Sequence, residues 1–206
     1  MDDPLKNVPM DKVSYFIGNN FGKRMAGQGF TLDYDQLLAG IKDAVEGKDT
    51  KFPPAELESA MQVFQNAMTA VESQRGERNK QAGIDFLAAN GKKQGITTTA
   101  SGLQYEVLKA AEGAKPKATD TVKVHYHGTL TSGKVFDSSV QRGEPIEFGL
   151  NQVIPGWTEG VQLMNKGSKF KFYIPSDLAY GPNGQGEIGP NEVLIFEVEL
   201  LDFKSM

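Results

Sequence analysis

No proline interrupts the chain between Pro54 and Pro116, so the segment "KFPPAELESAMQVFQNAMTAVESQRGERNKQAGIDFLAAN" is free to form one unbroken helix. The proline pair Pro53 and Pro54 suits its start, because the first helical amides have no intrahelical acceptor to lose. The pattern predicts about 35 residues, or roughly 50 Å at a rise of about 1.5 Å per residue. A rod of that length favours two small units over one large one in a chain of 206 residues.

Within this helix Leu57, Met61, Phe64, Met68 and Val71 alternate steps of four and three, the seam of a coiled coil or of a helix packed on others. Upstream, Val13, Phe16, Ile17 and Phe21, then Leu37, Leu38, Ile41 and Val45, recur at helical spacing and predict two short amphipathic helices. The seam can close a monomeric three-helix core or pair two copies. A unit of about 70 residues with one protruding helix buries little by itself, which favours a homodimer through the N-terminal helices. Beyond Val71, "ESQRGERNKQAG" is polar all round and is expected to be a solvated stalk, with Gly76 and Gly83 as flexing points. The expected division is a helical dimerisation unit over 1–72, the distal part of the connecting helix over 73–95, and a second domain over 96–206.

After Gly102 the periodicity changes. "LQYEVLKAA", "TVKVHYHGTL", "KFKFYIP" and "EVLIFEVELLDF" alternate apolar with polar residues and are rich in valine, isoleucine and aromatics, which predicts an antiparallel sheet. In "IPGWTEGVQLMNKG", Trp157, Val161 and Met164 lie at helical spacing. The expected fold class is therefore α+β: helices first, then a twisted antiparallel sheet around one short helix.

Several functions are disfavoured at this level. A net charge of −4 without a basic run argues against nucleic acid as the main partner, and no run of apolar residues is long enough for a membrane span. The chain has no cysteine, so thiol catalysis and cysteine-bound zinc are excluded. His125 and His127 share one face of a predicted strand about 7 Å apart, but with no other histidine and no acid at matching spacing no metal is expected. "GQGEIG" fits a dinucleotide pattern but precedes a strand where that motif requires a helix, so no cofactor is implied. The serines of "FDSS" lack the surroundings of a nucleophile elbow.

What remains is a set of large residues next to glycine or proline, in "VFDSS", "VIPGW" and "LAYGPNGQGEIGP", positions where aromatics line a concave pocket. By composition most of the large residues of this half, Tyr126, Phe148 and Phe196 among them, read as core. Asp137, after the apolar pair Val135 and Phe136, is open to three readings: an acid or base, a structural acceptor, or a surface turn residue.

"VKVHYHGTL", "GKVFDSS", "VIPGW", "LAYG" and "LIFEVELL", in that order, resemble the FKBP family of peptidyl-prolyl cis-trans isomerases over roughly residues 102–203. "DKVSYFIGNNFGKRM" followed by a long helix is similar to its macrophage infectivity potentiator (Mip-like) bacterial branch, whose members form V-shaped homodimers. The resemblance implies that Trp157 floors the proline site, with Tyr126, Phe136, Val153, Ile154 and Phe196 as walls. It implies that Tyr180 donates its hydroxyl to a substrate carbonyl and that Asp137 accepts hydrogen bonds from Tyr126 and Arg142. Phe148 and Ile188 join the substrate-contacting set, as do Ile146, where many members carry an aromatic, and Gln152, where an acid is frequent. The implied partners are proline-containing unfolded chains, bound in chaperone-like fashion, and the family's macrolide inhibitors. The implied location is the bacterial envelope, with the cytoplasm as the alternative; "MDDPLKN" reads as a mature envelope sequence given an added start methionine, with Asp2 to Met10 a polar leader.

Overall fold

The computed structural model describes residues 5–26 and 28–205, and the chain divides into two compact units, Met1–Gln62 and Val63–Met206. The expected polar leader falls partly on residues 1–4, which lie outside the described residues. In the first unit, helices α1 (Met10–Met25) and α2 (Tyr34–Val45) lead into the start of α3 (Pro54–Asn90). Asp33 caps α2, its carboxylate accepting the amides of Asp35 and Gln36 at 3.1 Å each. Neither α1 nor α2 buries a residue, and Phe16, Ile17, Leu38, Ile41 and Val45 all stand exposed. These two helices therefore present an apolar surface that this unit does not cover.

The second unit begins with the rest of α3, and here the solvated stalk is corrected. Gly76, Gly83 and Asn90, spaced by seven, are the buried residues of this helix, and they face the sheet domain of the same unit. Asn79 donates to the Pro190 carbonyl at 2.8 Å, and Phe86 packs on Tyr173 with ring centroids 6.0 Å apart. Asn90 donates to Gln104 Oε1 at 3.0 Å, while Gln104 Nε2 donates to the Leu87 carbonyl at 2.8 Å. The seam does not stop at Val71. It shifts by one position and continues through residues whose value is small size or amide hydrogen bonding, which a hydrophobic pattern does not register. The two glycines are close-approach points, not flexing points: a Cβ on Gly83 would meet Val193 Cγ2 at 2.8 Å.

Seven strands follow: β1 (Ile96–Thr98), β2 (Gln104–Lys109), β3 (Thr121–Leu130), β4 (Val135–Ser138), then β5 (Ile146–Gly149), β6 (Lys169–Ile174) and β7 (Leu194–Lys204). Among the described residues all strand pairings are antiparallel, in the order β1-β2-β6-β7-β3-β4, with β5 pairing the first part of β3. Strand β3 alternates half-buried and buried positions without a break, so Val122, Val124 and Tyr126 face inward with Val198 and Leu200 of β7. A four-residue helix α4 (Ser139–Arg142) separates β4 from β5, and α5 (Pro155–Val161) packs on the inner face of the sheet. Helix α5 is shorter than its apolar spacing implied. Its end tightens into i to i+3 bonds from Leu163 to Gly160 and from Met164 to Val161, which still leaves Met164 fully buried.

The docked seam gives a test whose sign opposes helix propensity. On a solvated stalk, Gly83→Leu would stabilise; here it is expected to lower the stability measured by urea unfolding by about 1–3 kcal/mol through overpacking against Val193. A variant as stable as the parent would overturn the docked geometry.

Candidate active site

Strands β4 and β5 share one side of β3 but pair with different stretches of it. Strand β5 covers Thr121 to Val124 and β4 covers His127 to Thr129, so His125 and Tyr126 have no strand partner there. The two serines of "FDSS" fill the gap. Ser139 Oγ accepts the Tyr126 amide at 2.8 Å, and both Ser138 and Ser139 lie 3.4 Å from the Tyr126 carbonyl as donors. Ser138 also caps α4, accepting the Gln141 amide at 3.2 Å. The same hydroxyls hydrogen-bond the histidines, His127 to Ser138 and His125 to Ser139, each at 3.0 Å. These serines are thus structural, which explains their burial without any nucleophilic role.

Where the edge is interrupted, a cleft of about 710 Å³ opens over α5. Pro155 sets the first turn of that helix and Trp157 turns inward, only 5% exposed, to form the floor. Three rings meet Trp157 edge-on, with centroids at 5.5 Å for Tyr126, 5.2 Å for Phe148 and 5.2 Å for Phe196. Phe136 stands edge-on to Phe196 at 5.3 Å, and the two rings close over Gly128, where a Cβ would meet both at 2.8 Å. Val153, Ile154, Ile146 and Gln152 line the cleft from the segment leading into α5 and from β5.

The polar rim is a closed triangle. The Tyr126 hydroxyl and Arg142 Nη1 each donate to an oxygen of Asp137, and Arg142 Nη2 donates to the Tyr126 oxygen at 3.1 Å. Partial burial pushes the Asp137 carboxyl up, but the hydrogen bonds from Tyr126 and Arg142, with the charge of Arg142, outweigh it and hold it below its ordinary value. Burial, then the bond to Asp137, raises Tyr126. Tyr180 also lines the cleft, and among the described residues no protein group accepts its hydroxyl. Burial and the nearby Asp137 charge raise its pKa, so the proton remains available for donation.

This geometry has counterparts among known proteins. The chain matches the family model "FKBP-type peptidyl-prolyl cis-trans isomerase" over residues 112–201, and over residues 10–107 the model for the domain amino terminal to it. The isomerase FkpA of Aeromonas hydrophila is 49% identical over 202 residues, which cover 93% of this chain and 75% of that protein. The outer membrane protein MIP of Legionella longbeachae is 44% identical over 199 residues, covering 94% and 85%. This chain belongs to the FKBP-type peptidyl-prolyl cis-trans isomerases. Among solved structures, the crystal structure of FkpA from Escherichia coli superposes with a TM-score of 0.70 at 40% identity, over 97% of this chain and 98% of that one. The protein is thus an isomerase of α+β architecture, and the likeness to FkpA and Mip extends through its helical first half.

Of the residues that the FKBP resemblance singled out, all line the cleft except Arg142, which stands behind Asp137. Two further lining residues, Gln185 and Gly186, were missed. They belong to a tight turn in which the amide and carbonyl of Gln185 pair with those of Ile188 at 2.8 and 2.9 Å, and Gly184 and Gly186 have positive φ. The signal was present in "GQGEIG". Its glycines shape a rim turn, not a phosphate loop.

A carboxylate held below its ordinary value of 3.8 adds stability that is complete above that value and is lost as the pH falls through the folded value. Tyr126 and Tyr180 are both shifted upward from 10.0, so none of these three groups changes charge near neutrality. Peptide isomerisation followed from pH 6 to 8 is therefore expected to stay constant within about twofold. A pronounced bell in that range would restore the acid or base reading of Asp137.

Proposed function

We propose that the cleft receives the Xaa-Pro bond of an unfolded or partly folded chain, with the proline ring on Trp157 between Tyr126, Phe136, Val153, Ile154 and Phe196. Ile146, Phe148, Gln152 and Ile188 contact the flanking substrate residues. The observation that carries this reading is the combination of an aromatic floor with a rim whose ionisable groups are locked in one charge state. Such a site suits a reaction that makes and breaks no covalent bond.

Rotation about the prolyl bond faces a barrier of about 18–20 kcal/mol, set by resonance between nitrogen and carbonyl. Water hydrogen bonds favour the planar, charge-separated form, so moving the amide into an apolar cleft weakens the resonance. The free Tyr180 hydroxyl donates to a substrate carbonyl and holds the chain while the bond turns. Asp137, ionised and fixed by Tyr126 and Arg142, faces the carbonyl carbon as that bond leaves planarity. Arg142 acts through Asp137, by orienting it. The cleft volume of about 710 Å³ also lies in the usual range for small-molecule sites of roughly 300–1,000 Å³, which suits a macrolide inhibitor.

The division into 1–72, 73–95 and 96–206 is kept as a functional one, with homodimerisation through the N-terminal helices. The uncovered apolar residues of α1 and α2 support it, as does the match to the domain amino terminal to FKBP-type isomerases. Two tethered clefts raise each other's effective concentration for one long substrate, which favours unfolded chains over short peptides and gives chaperone-like binding. The bacterial envelope is the proposed location, supported by the relative named an outer membrane protein.

Tyr180→Phe is expected to lower kcat/KM for a proline tetrapeptide by about five- to tenfold, the worth of one hydrogen bond, without loss of stability. An unchanged kcat/KM would remove Tyr180 from the mechanism. In sedimentation at micromolar concentration the full chain is expected to run as a dimer and the fragment 63–206 as a monomer. A monomeric full chain would refute the pairing of the N-terminal helices.

A further inference from the structure

The rim turn that lines the cleft is continuous with a segment bonded to α3. Ile188 lines the cleft, and the residues after it carry the contacts. Asn79 Nδ2 donates to the Pro190 carbonyl at 2.8 Å and to Glu192 Oε1 at 3.1 Å. Asn191 Nδ2 donates to the Gly76 carbonyl at 3.1 Å. The Arg75 guanidinium lies against Gly189 and 3.9 Å from Glu192. Asn191 also closes the loop from within: its amide donates to the Gly181 carbonyl at 2.9 Å, and it does so at φ 55°, a left-handed conformation that asparagine tolerates. Gly181 adjoins Tyr180. One residue bonded to α3 therefore ties together the two ends of the loop, next to Tyr180 on one side and near Ile188 on the other. Across the cleft the turn is held by the ion pair of Lys134 and Glu187 at 3.0 Å, whose side chains are 54% and 67% exposed. Exposed pairs of this kind hold little.

We infer that Asn79 and Asn191 are positioning residues for the isomerase reaction: through them α3 fixes the loop 181–188, and with it Tyr180, Gln185 and Ile188, over the proline site. This rests on the cleft being the substrate site as proposed above. The connecting helix is then part of the active site's support, although none of its side chains touches substrate.

The test uses the full chain with Asn79→Ala, Asn191→Gly and Asn191→Asp. Asn191→Asp keeps the side chain's shape but has no donor for the Gly76 carbonyl, so it separates the hydrogen bond from the backbone conformation. Each variant is expected to raise KM for a proline tetrapeptide about fivefold, the worth of one hydrogen bond, with kcat within about twofold. Amide hydrogen exchange is expected to quicken in 181–193 while β3 and β7 stay protected. Unchanged KM in all three variants, with an active parent, overturns the inference and leaves the cleft reading intact. Loss of protection throughout the sheet also overturns it, since the residues would then serve general packing. An inactive parent chain would instead sink the cleft reading, and this inference with it.

Discussion

Strand β3 lacks a strand neighbour on one side at His125 and Tyr126, and the active site grows out of that gap. A buried backbone cannot leave its amide and carbonyl unpaired, so Ser138 and Ser139 supply the bonds that a strand would have made. Because those serines end β4 and begin α4, the chain must turn there, and the turn brings Arg142 back onto Asp137. The phenol of Tyr126 completes the triangle from the inner face of β3. Cleft, rim and charge state thus follow from one interrupted pairing. Continuous pairing of β3 along that side would place a strand where the cleft opens.

Floor and rim differ in how they couple activity to stability. Trp157 is 5% exposed and touches three aromatic rings, so it belongs to the core as much as to the site. Removing a buried aromatic of this kind costs about 3–5 kcal/mol, and any activity change there is mixed with loss of packing. Tyr180 is only partly buried and stands at the edge, so its chemistry can be altered while the core remains, whereas Asp137 also contributes stability through Tyr126 and Arg142. Tyr180 is consequently where reaction and folding can be read separately.

The sequence made the sheet legible because β3 and β7 follow a period of two, and the helices legible because their apolar residues recur at three and four. The place of aromatics beside glycine and proline pointed to a pocket, but its membership was legible only through resemblance, since nothing in the spacing of Tyr126, Asp137, Trp157 and Tyr180 reveals that they converge. Gln185 and Gly186 are hidden for a different reason: the glycine pattern containing them matches a phosphate loop, and its place before a strand removes that reading without pointing to a rim turn. Strand β5 and its break from β4 escaped because four-residue strands carry too few residues to show a period. The docking of α3 escaped because, apart from Phe86, its seam consists of Gly76, Asn79, Gly83 and Asn90, which carry no apolar side chain.

That seam has consequences for how tightly the helix is held. A contact through leucines gains about 25 cal/mol for every Å² of apolar surface buried and tolerates small displacements. A contact through glycines and amides gains little by area and depends on hydrogen bonds worth about 1 kcal/mol each, which weaken steeply when misaligned. Such docking is specific in register and modest in strength. Strain along α3 would be felt first at the Asn79 and Asn191 bonds, and their loss would release the segment beside Ile188 before it disturbed the apolar packing of β3 on β7. A helix built this way transmits its position to the rim of the cleft more readily than to the core.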